Sequence, residues 1–270
     1  MNIKRSFGFL CLIWAMLTTM LFVSASNHTA LNWYCVRNKE HKQPIADANM
    51  RWIEDYNAYY IDHKHHDTAT EKVVYLTFDA GYENGNIEKI LNTLKQEQVS
   101  GAFFILGNLL NKNPNLVRRM AEDGHIVANH TYHHQDMTKI DQLEDFRAEL
   151  DALNRLYQSV TGREMAKYYR PPEGRFNRAS LDYANQLGYK TIFWSFAYAD
   201  WDNEKQPSIE EATAKILENI HNGAILLLHP TSATNAQILG NIIAKLKQDG
   251  YRFGTLDELT AVSYQANHET

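Results

Sequence analysis

The sequence predicts an α/β domain, barrel-like or an open parallel sheet, and three observations carry that prediction. Short apolar runs rich in β-branched and aromatic residues recur at 73–78, 101–106, 125–128, 191–196 and 224–228, with weaker ones near 167–170 and 251–255. Runs that are apolar throughout, rather than alternating, suit strands buried on both faces. Between them lie amphipathic stretches near 86–98, 114–123, 141–160, 177–187, 209–221 and 235–249, several closed by glycine at 124, 162, 188, 223 and 250. A glycine just past an apolar stripe is a common helix stop. Strand and helix thus alternate six or seven times in about 190 residues, which suits one domain and is somewhat short of an eight-unit barrel.

Taken from the start, the chain opens with Lys4 and Arg5, an apolar run from Phe7 to Val23, and the small residues Ser24 and Ala25. That pattern predicts a signal peptide over 1–25; because the run is long, an uncleaved N-terminal anchor is the alternative. Either one exports the domain, and no other membrane contact is expected. Removing those residues takes away two basic and no acidic side chains, so the formal charge of −5 becomes −7. A negative chain with 44% hydrophobic and 22% charged residues is globular and a poor partner for nucleic acid. Cys11 lies in the leader, so the mature chain keeps Cys35 alone and no internal disulfide can form. A monomer is the expected state.

Residues 26–71 form a lead-in to the domain, and 263–270 a tail. Trp52, Tyr56, Tyr59 and Tyr60 recur at helical spacing, which predicts a helix docked on the domain; an aromatic platform for sugars is the alternative. His63, His65 and His66 lie among Asp, Lys and Thr and read as a solvated loop. Cys35 has no motif around it and reads as an incidental, partly buried thiol.

Chemistry is sought at the strand ends, which converge on one face in such folds. The first run leads into Thr77-Phe78-Asp79-Ala80-Gly81-Tyr82-Glu83-Asn84-Gly85, before a helix with Ile87, Ile90, Leu91 and Leu94 on one face. Asp79 is a candidate base; a helix cap or turn former would look the same. The third run is followed by His130 and His134, four apart, which in a helical turn would aim both imidazoles at one metal. Arg170 precedes Pro171-Pro172-Glu173-Gly174, a rigid loop whose arginine can clamp a carboxylate with two parallel hydrogen bonds. The fifth run leads to Asp200-Trp201, and the sixth ends in His229, either a core histidine or an acid paired with Asp200. Asn27 and Asn129 fit the glycosylation sequon, and neither is expected to be used.

Five ordered motifs, TFDAG at 77–81, HTYHH at 130–134, RPPEG at 170–174, DW at 200–201 and LLH at 227–229, resemble the polysaccharide deacetylases of carbohydrate esterase family four, the NodB-homology domain. The resemblance spans about 72–260 and places the domain at 72–262. Within the family, TFDAGYENG looks closest to the branch that makes muramic δ-lactam in the peptidoglycan of the bacterial spore cortex. It implies a distorted (β/α)7 barrel and N-deacetylation of N-acetylmuramic acid.

By that resemblance His130 and His134 hold a divalent metal, commonly zinc, with manganese, cobalt or another metal as alternatives. Asp79 is the base, oriented by Arg170; His229 is the acid, held charged by Asp200. Trp201 and Leu227 wall the pocket for the acetyl methyl, with Tyr82 also against substrate, and the backbone N–H of Glu173 faces the oxyanion. Many members carry a further aspartate ligand where this chain has Ala80, so Glu83 or Asn84 is a candidate extra ligand. Two other readings stay open: a deacetylase of N-acetylglucosamine in peptidoglycan, chitin or exopolysaccharide or of O-acetylated xylan, and a non-catalytic glycan-binding module.

Overall fold

The structure is a computed structural model that describes residues 28–37 and 40–261. The expected leader at 1–25 and tail at 263–270 lie outside the described residues. Among the described residues no helix is long and apolar enough to cross a membrane. The N-terminal segment carries three short strands, β1 (Leu31–Asn32), β2 (Cys35–Val36) and β3 (Ile45–Ala46), then a 3-10 turn over Arg51–Tyr56 and strand β4 (Ala58–Tyr59). The domain proper runs β5 (Lys72–Ala80), α1 (Ile87–Glu97), β6 (Ala102–Ile105), α2 (Gly107–Lys112), α3 (Pro114–Glu122), β7 (Ile126–Asn129) and α4 (Leu143–Thr161). It continues with β8 (Tyr168–Tyr169), β9 (Arg175–Phe176), α5 (Arg178–Gln186), β10 (Lys190–Ile192) and α6 (Ile209–Asn219). β11 (Ala224–Leu228), α7 (Ala233–Gln248), β12 (Tyr251–Phe253) and α8 (Leu256–Thr260) complete it.

The sheet order is β11-β5-β6-β7-β8-β10-β4, with β12 also on β5, and these pairings are parallel. The seven apolar runs of the sequence supply β5, β6, β7, β8, β10, β11 and β12. Beyond β10 the chain at Phe196 pairs in parallel with Leu226, which curls the sheet into a distorted barrel. The run read as one strand over 191–196 is therefore split. Its first half pairs with β4, and its second half, through Ser195 N donating to Ile225 O at 3.0 Å, turns onto β11.

Side chains alternate across each strand, and this sorts the core into two layers. Val74, Leu76, Phe78 and Ala80 of β5 pack outward with Ile87, Ile90, Leu91 and Leu94 of α1. Val73 and Tyr75 point inward with Phe104, Tyr168, Ile192 and Ile225, and Leu256 and Leu259 of α8 join them. By the same parity Thr77 and Asp79 belong to the inner set.

The lead-in differs from its expected form. Trp52 and Tyr56 lie on one 3-10 turn that ends at Asn57 with φ +56°, and Tyr59 then enters β4. The left-handed Asn57 breaks the helical period, so the four aromatics do not share a helix face. The segment is nonetheless docked: Trp52 lies 5.7 Å from Phe176 and 3.9 Å from the Arg178 guanidinium, and Trp33 stacks on Phe193 at 4.7 Å. His65 does not sit in open solvent; its ring meets Asp62 at 2.6 Å and Glu71 at 3.1 Å. The Cys35 Sγ lies 3.2 Å from Ser195 O, and burial pushes the thiol up to about 11, far from a nucleophile. Asn129 is fully buried and its amide donates to Leu150 O at 3.0 Å, so no glycan can sit there.

Candidate active site

The inward register of β5 and the ends of its neighbours build one cavity of about 690 Å³, within the range of small-ligand sites. Asp79, Tyr82, His130, His134, Glu173, Trp201, Leu227 and His229 all line it. The strand ends thus bring together residues drawn from all five sequence motifs. Arg170 and Asp200, both fully buried, stand directly behind this lining.

Arg170 enters from the end of β8. Its Nη1 donates to Asp79 Oδ1 at 2.8 Å, Nη2 to Thr77 Oγ1 and Phe193 O, and Nε to Ile192 O at 2.8 Å, with the guanidinium 4.1 Å above the Phe104 ring. The clamp is one-armed toward Asp79, because the second arm holds Thr77 and the barrel wall. Burial alone would raise the Asp79 carboxyl; the nearby Arg170 charge and the surrounding histidines outweigh it and hold Asp79 below its usual range.

Across the cavity, His229 Nδ1–H donates to Asp200 Oδ1 at 2.7 Å, and the His229 backbone N–H donates to Asp200 Oδ2 at 2.8 Å. Burial works against the charged imidazole, but the hydrogen bond and charge of Asp200 prevail and raise His229 above its ordinary value. Two titratable groups on one cavity are thus displaced in opposite directions, the arrangement that separates a base from an acid.

His130 and His134 converge, with ring centroids 5.0 Å apart, but not through the helical turn the spacing predicts. Thr131 at φ +74° and His134 at φ +59° reverse the chain after β7 instead. Local bonds hold that turn: Thr131 N–H donates to Asn129 Oδ1 at 2.8 Å, His134 N–H to Thr131 Oγ1 at 2.9 Å, and His133 N–H to Glu149 Oε1 at 2.6 Å.

His130 Nδ1–H donates to Arg170 O at 2.8 Å, which leaves its Nε2 lone pair facing Asp79 Oδ2 at 3.5 Å. Burial lowers His130 to about 4, so it is neutral at working pH, as a metal ligand must be. The two imidazoles therefore suit a divalent metal, although among the described residues no group of three or more His, Cys, Asp or Glu side chains is gathered. Ala80 lies on the outer face against the helices and offers nothing. Glu83 and Asn84 are engaged elsewhere: Glu83 Oε2 accepts from Ile87 N at 3.1 Å, and the Asn84 amide donates to Thr231 O at 2.9 Å.

Trp201 is 60% exposed at the rim with its ring 6.1 Å from His229, and Tyr82 is 43% exposed with its hydroxyl bonded to Asn203. Leu227 is buried below them. Glu173 takes φ +58°, a strained value for a non-glycine residue, between Pro172 and Gly174. Leu106, Trp194, Tyr198 and Thr231 also line the cavity and were not anticipated. Trp194 was hidden because the run 191–196 reads as plain buried strand.

Comparison with known proteins identifies the family and the fold. Residues 66–192 match the family model described as polysaccharide deacetylase. The peptidoglycan-N-acetylmuramic acid deacetylase PdaA of Bacillus subtilis is 40% identical over 232 residues, 85% of each chain. A peptidoglycan-N-acetylglucosamine deacetylase of Bacillus cereus is 32% identical over 238 residues, 85% of this chain and 83% of that one. The solved structure of Bacillus subtilis PdaA, a family 4 carbohydrate esterase, matches with TM-score 0.80 and 38% identity, covering 86% of this chain and 97% of that one. Motif order, barrel and likeness over nearly the whole length converge: the chain belongs to the polysaccharide deacetylases, carbohydrate esterase family four.

Proposed function

We propose that the protein hydrolyses the N-acetyl group of N-acetylmuramic acid in peptidoglycan, outside the cytoplasm. The observation that carries the chemistry is the pair of oppositely tuned groups, Asp79 held low and His229 held high, on one cavity. Binding alone would need no such pair. The choice of muramic acid follows the 40% identity to PdaA.

An amide carbonyl is a poor electrophile. A divalent metal on His130 and His134, zinc by preference with manganese or cobalt as alternatives, would supply the Lewis acid that polarises the carbonyl and acidifies water. Asp79, kept ionised by Arg170, takes the proton of the attacking water. The backbone N–H of Glu173 faces the oxygen on which charge develops. His229, kept charged by Asp200, gives its proton to the departing amine. Trp201, Leu227 and Tyr82 exclude water around the acetyl methyl and the sugar. Where the lactyl group carries no peptide, the freed amine can close on its carboxyl to give muramic δ-lactam, as in spore cortex. The sites of action are then the cell wall or the space between forespore membranes.

A deacetylase of N-acetylglucosamine is the second reading, favoured by the 32% identity to the Bacillus cereus enzyme. Mass spectrometry of muramidase-digested peptidoglycan, treated with the mature chain with and without zinc and stem peptides, separates the two. Metal-dependent loss of acetyl from peptide-free muramic acid is expected. Loss from glucosamine alone would overturn the first reading, and Asp79→Asn should abolish turnover while glycan affinity remains.

A further inference from the structure

Behind the acid lies a chain of contacts that the reaction so far leaves unused. Asp200 is fully buried, and its Oδ2 accepts a third bond, from Asn235 Nδ2 at 2.6 Å. The same amide nitrogen donates to His229 O at 3.1 Å. Asn235 is itself buried, in the first turn of α7, where its backbone N–H donates to the capping hydroxyl of Ser232 at 3.0 Å. Its Oδ1 accepts the hydroxyl of Tyr198, a residue of the cavity wall. Burial and the Asp200 charge push the Tyr198 phenol upward, so it stays a donor. The amide can therefore sit only one way round, with nitrogen toward Asp200 and oxygen toward Tyr198.

We propose that Asn235 is a positioning residue for the general acid, its amide fixing the Asp200 carboxylate against His229 and its own orientation fixed in turn by Tyr198. This rests on the reading of His229 as the proton donor. A neutral donor on the far oxygen of Asp200 disperses part of that carboxylate's charge and turns the positive end of an amide dipole toward the imidazole. Both effects keep His229 from holding its proton too tightly. An acid must be charged before the reaction and still release its proton during it, so its strength needs an upper and a lower bound. Asp200 sets one bound and Asn235 the other. Asp79 and Arg170 also act on the charge of His229, with opposite signs.

The test uses Asn235→Ala and the nearly isosteric Tyr198→Phe in zinc-loaded protein, with two readouts. NMR titration of histidine-labelled protein, with the signal assigned through His229→Gln, should place the His229 midpoint about half to one unit higher in Asn235→Ala. Tyr198→Phe should move it a smaller distance the same way. In turnover, the alkaline limb of kcat should rise with the midpoint while kcat falls about tenfold and KM stays within twofold. A His229 midpoint that stays or falls in both variants overturns the proposal, as does a raised KM with kcat unchanged. The titration needs no substrate, so an active enzyme with an unmoved midpoint sinks the role of Asn235 alone. A wild-type protein without turnover on any glycan sinks the function and leaves the titration to decide the contact.

Discussion

Arg170 donates four hydrogen bonds while fully buried, and one of them reaches the base. Lysine keeps the charge but cannot span Asp79, Thr77 and two carbonyls at once. Arg170→Lys should therefore lower kcat/KM by about 100-fold or more, and Arg170→Met should cost about 3–5 kcal/mol of stability by stranding a buried carboxylate; steady-state kinetics and urea unfolding check these. The pH profile follows from the two shifts. Activity should rise as Asp79 ionises, below the usual carboxylate range, and fall as His229 loses its proton above its ordinary value. Asp200→Asn should bring that alkaline limb down and cut kcat, and a limb unmoved by it would remove His229 from the role of acid. Asp79, His130, Arg170 and His229 were legible in the sequence because each stands at the end of an apolar run. Asn235 was not, since an asparagine at the start of a helix looks like any cap, and only the fold shows that Ser232 does the capping.

The turn after β7 is the element that deviates most from what its sequence predicts. Spacing four apart suggests a helix, yet the histidines meet through two left-handed residues, one of them the β-branched Thr131. Such conformations cost about 1–3 kcal/mol each and persist only when neighbours impose them. Glu149 of α4 is one such neighbour, buried and bonded to both the backbone N–H and the ring of His133. Glu149→Ala should lower stability by about 1–3 kcal/mol and weaken zinc binding, read by thermal melting and calorimetric titration; unchanged zinc affinity would show that the turn holds itself. Gly174 presents the same lesson elsewhere on the cavity wall. It has φ +65°, and a Cβ there would lie 2.6 Å from the Trp194 ring. Strands and long helices were readable because burial repeats along them, whereas turns are held by single contacts from distant residues and leave no period to read.

At the scale of the whole molecule, acid should weaken the fold. His125 is buried, its Nδ1 accepts from Gly101 N–H at 3.2 Å, its Nε2 finds no partner among the described residues, and burial lowers it to about 4. The unfolded chain binds that proton near 6.5, so stability should be lost as pH falls from about 6.5 to 4, by about 3 kcal/mol from this one group. Urea unfolding across that window should lose about that much of its pH dependence in His125→Phe, with His130 accounting for part of what remains. Six or seven strand–helix units were legible in the sequence, but the seam of the barrel was not. β4 lies along β10, and Ile61 bridges Ala224, so the segment before the motifs is stitched to β10 and β11, two strands far along the chain from it. That stitching has a temporal meaning. A chain made and delivered from its N-terminus presents β4 early, and β4 must then wait, unpaired, until residues 190 to 228 arrive. Contacts so distant along the chain close late, so the protein commits to its final form only when almost all of it is present.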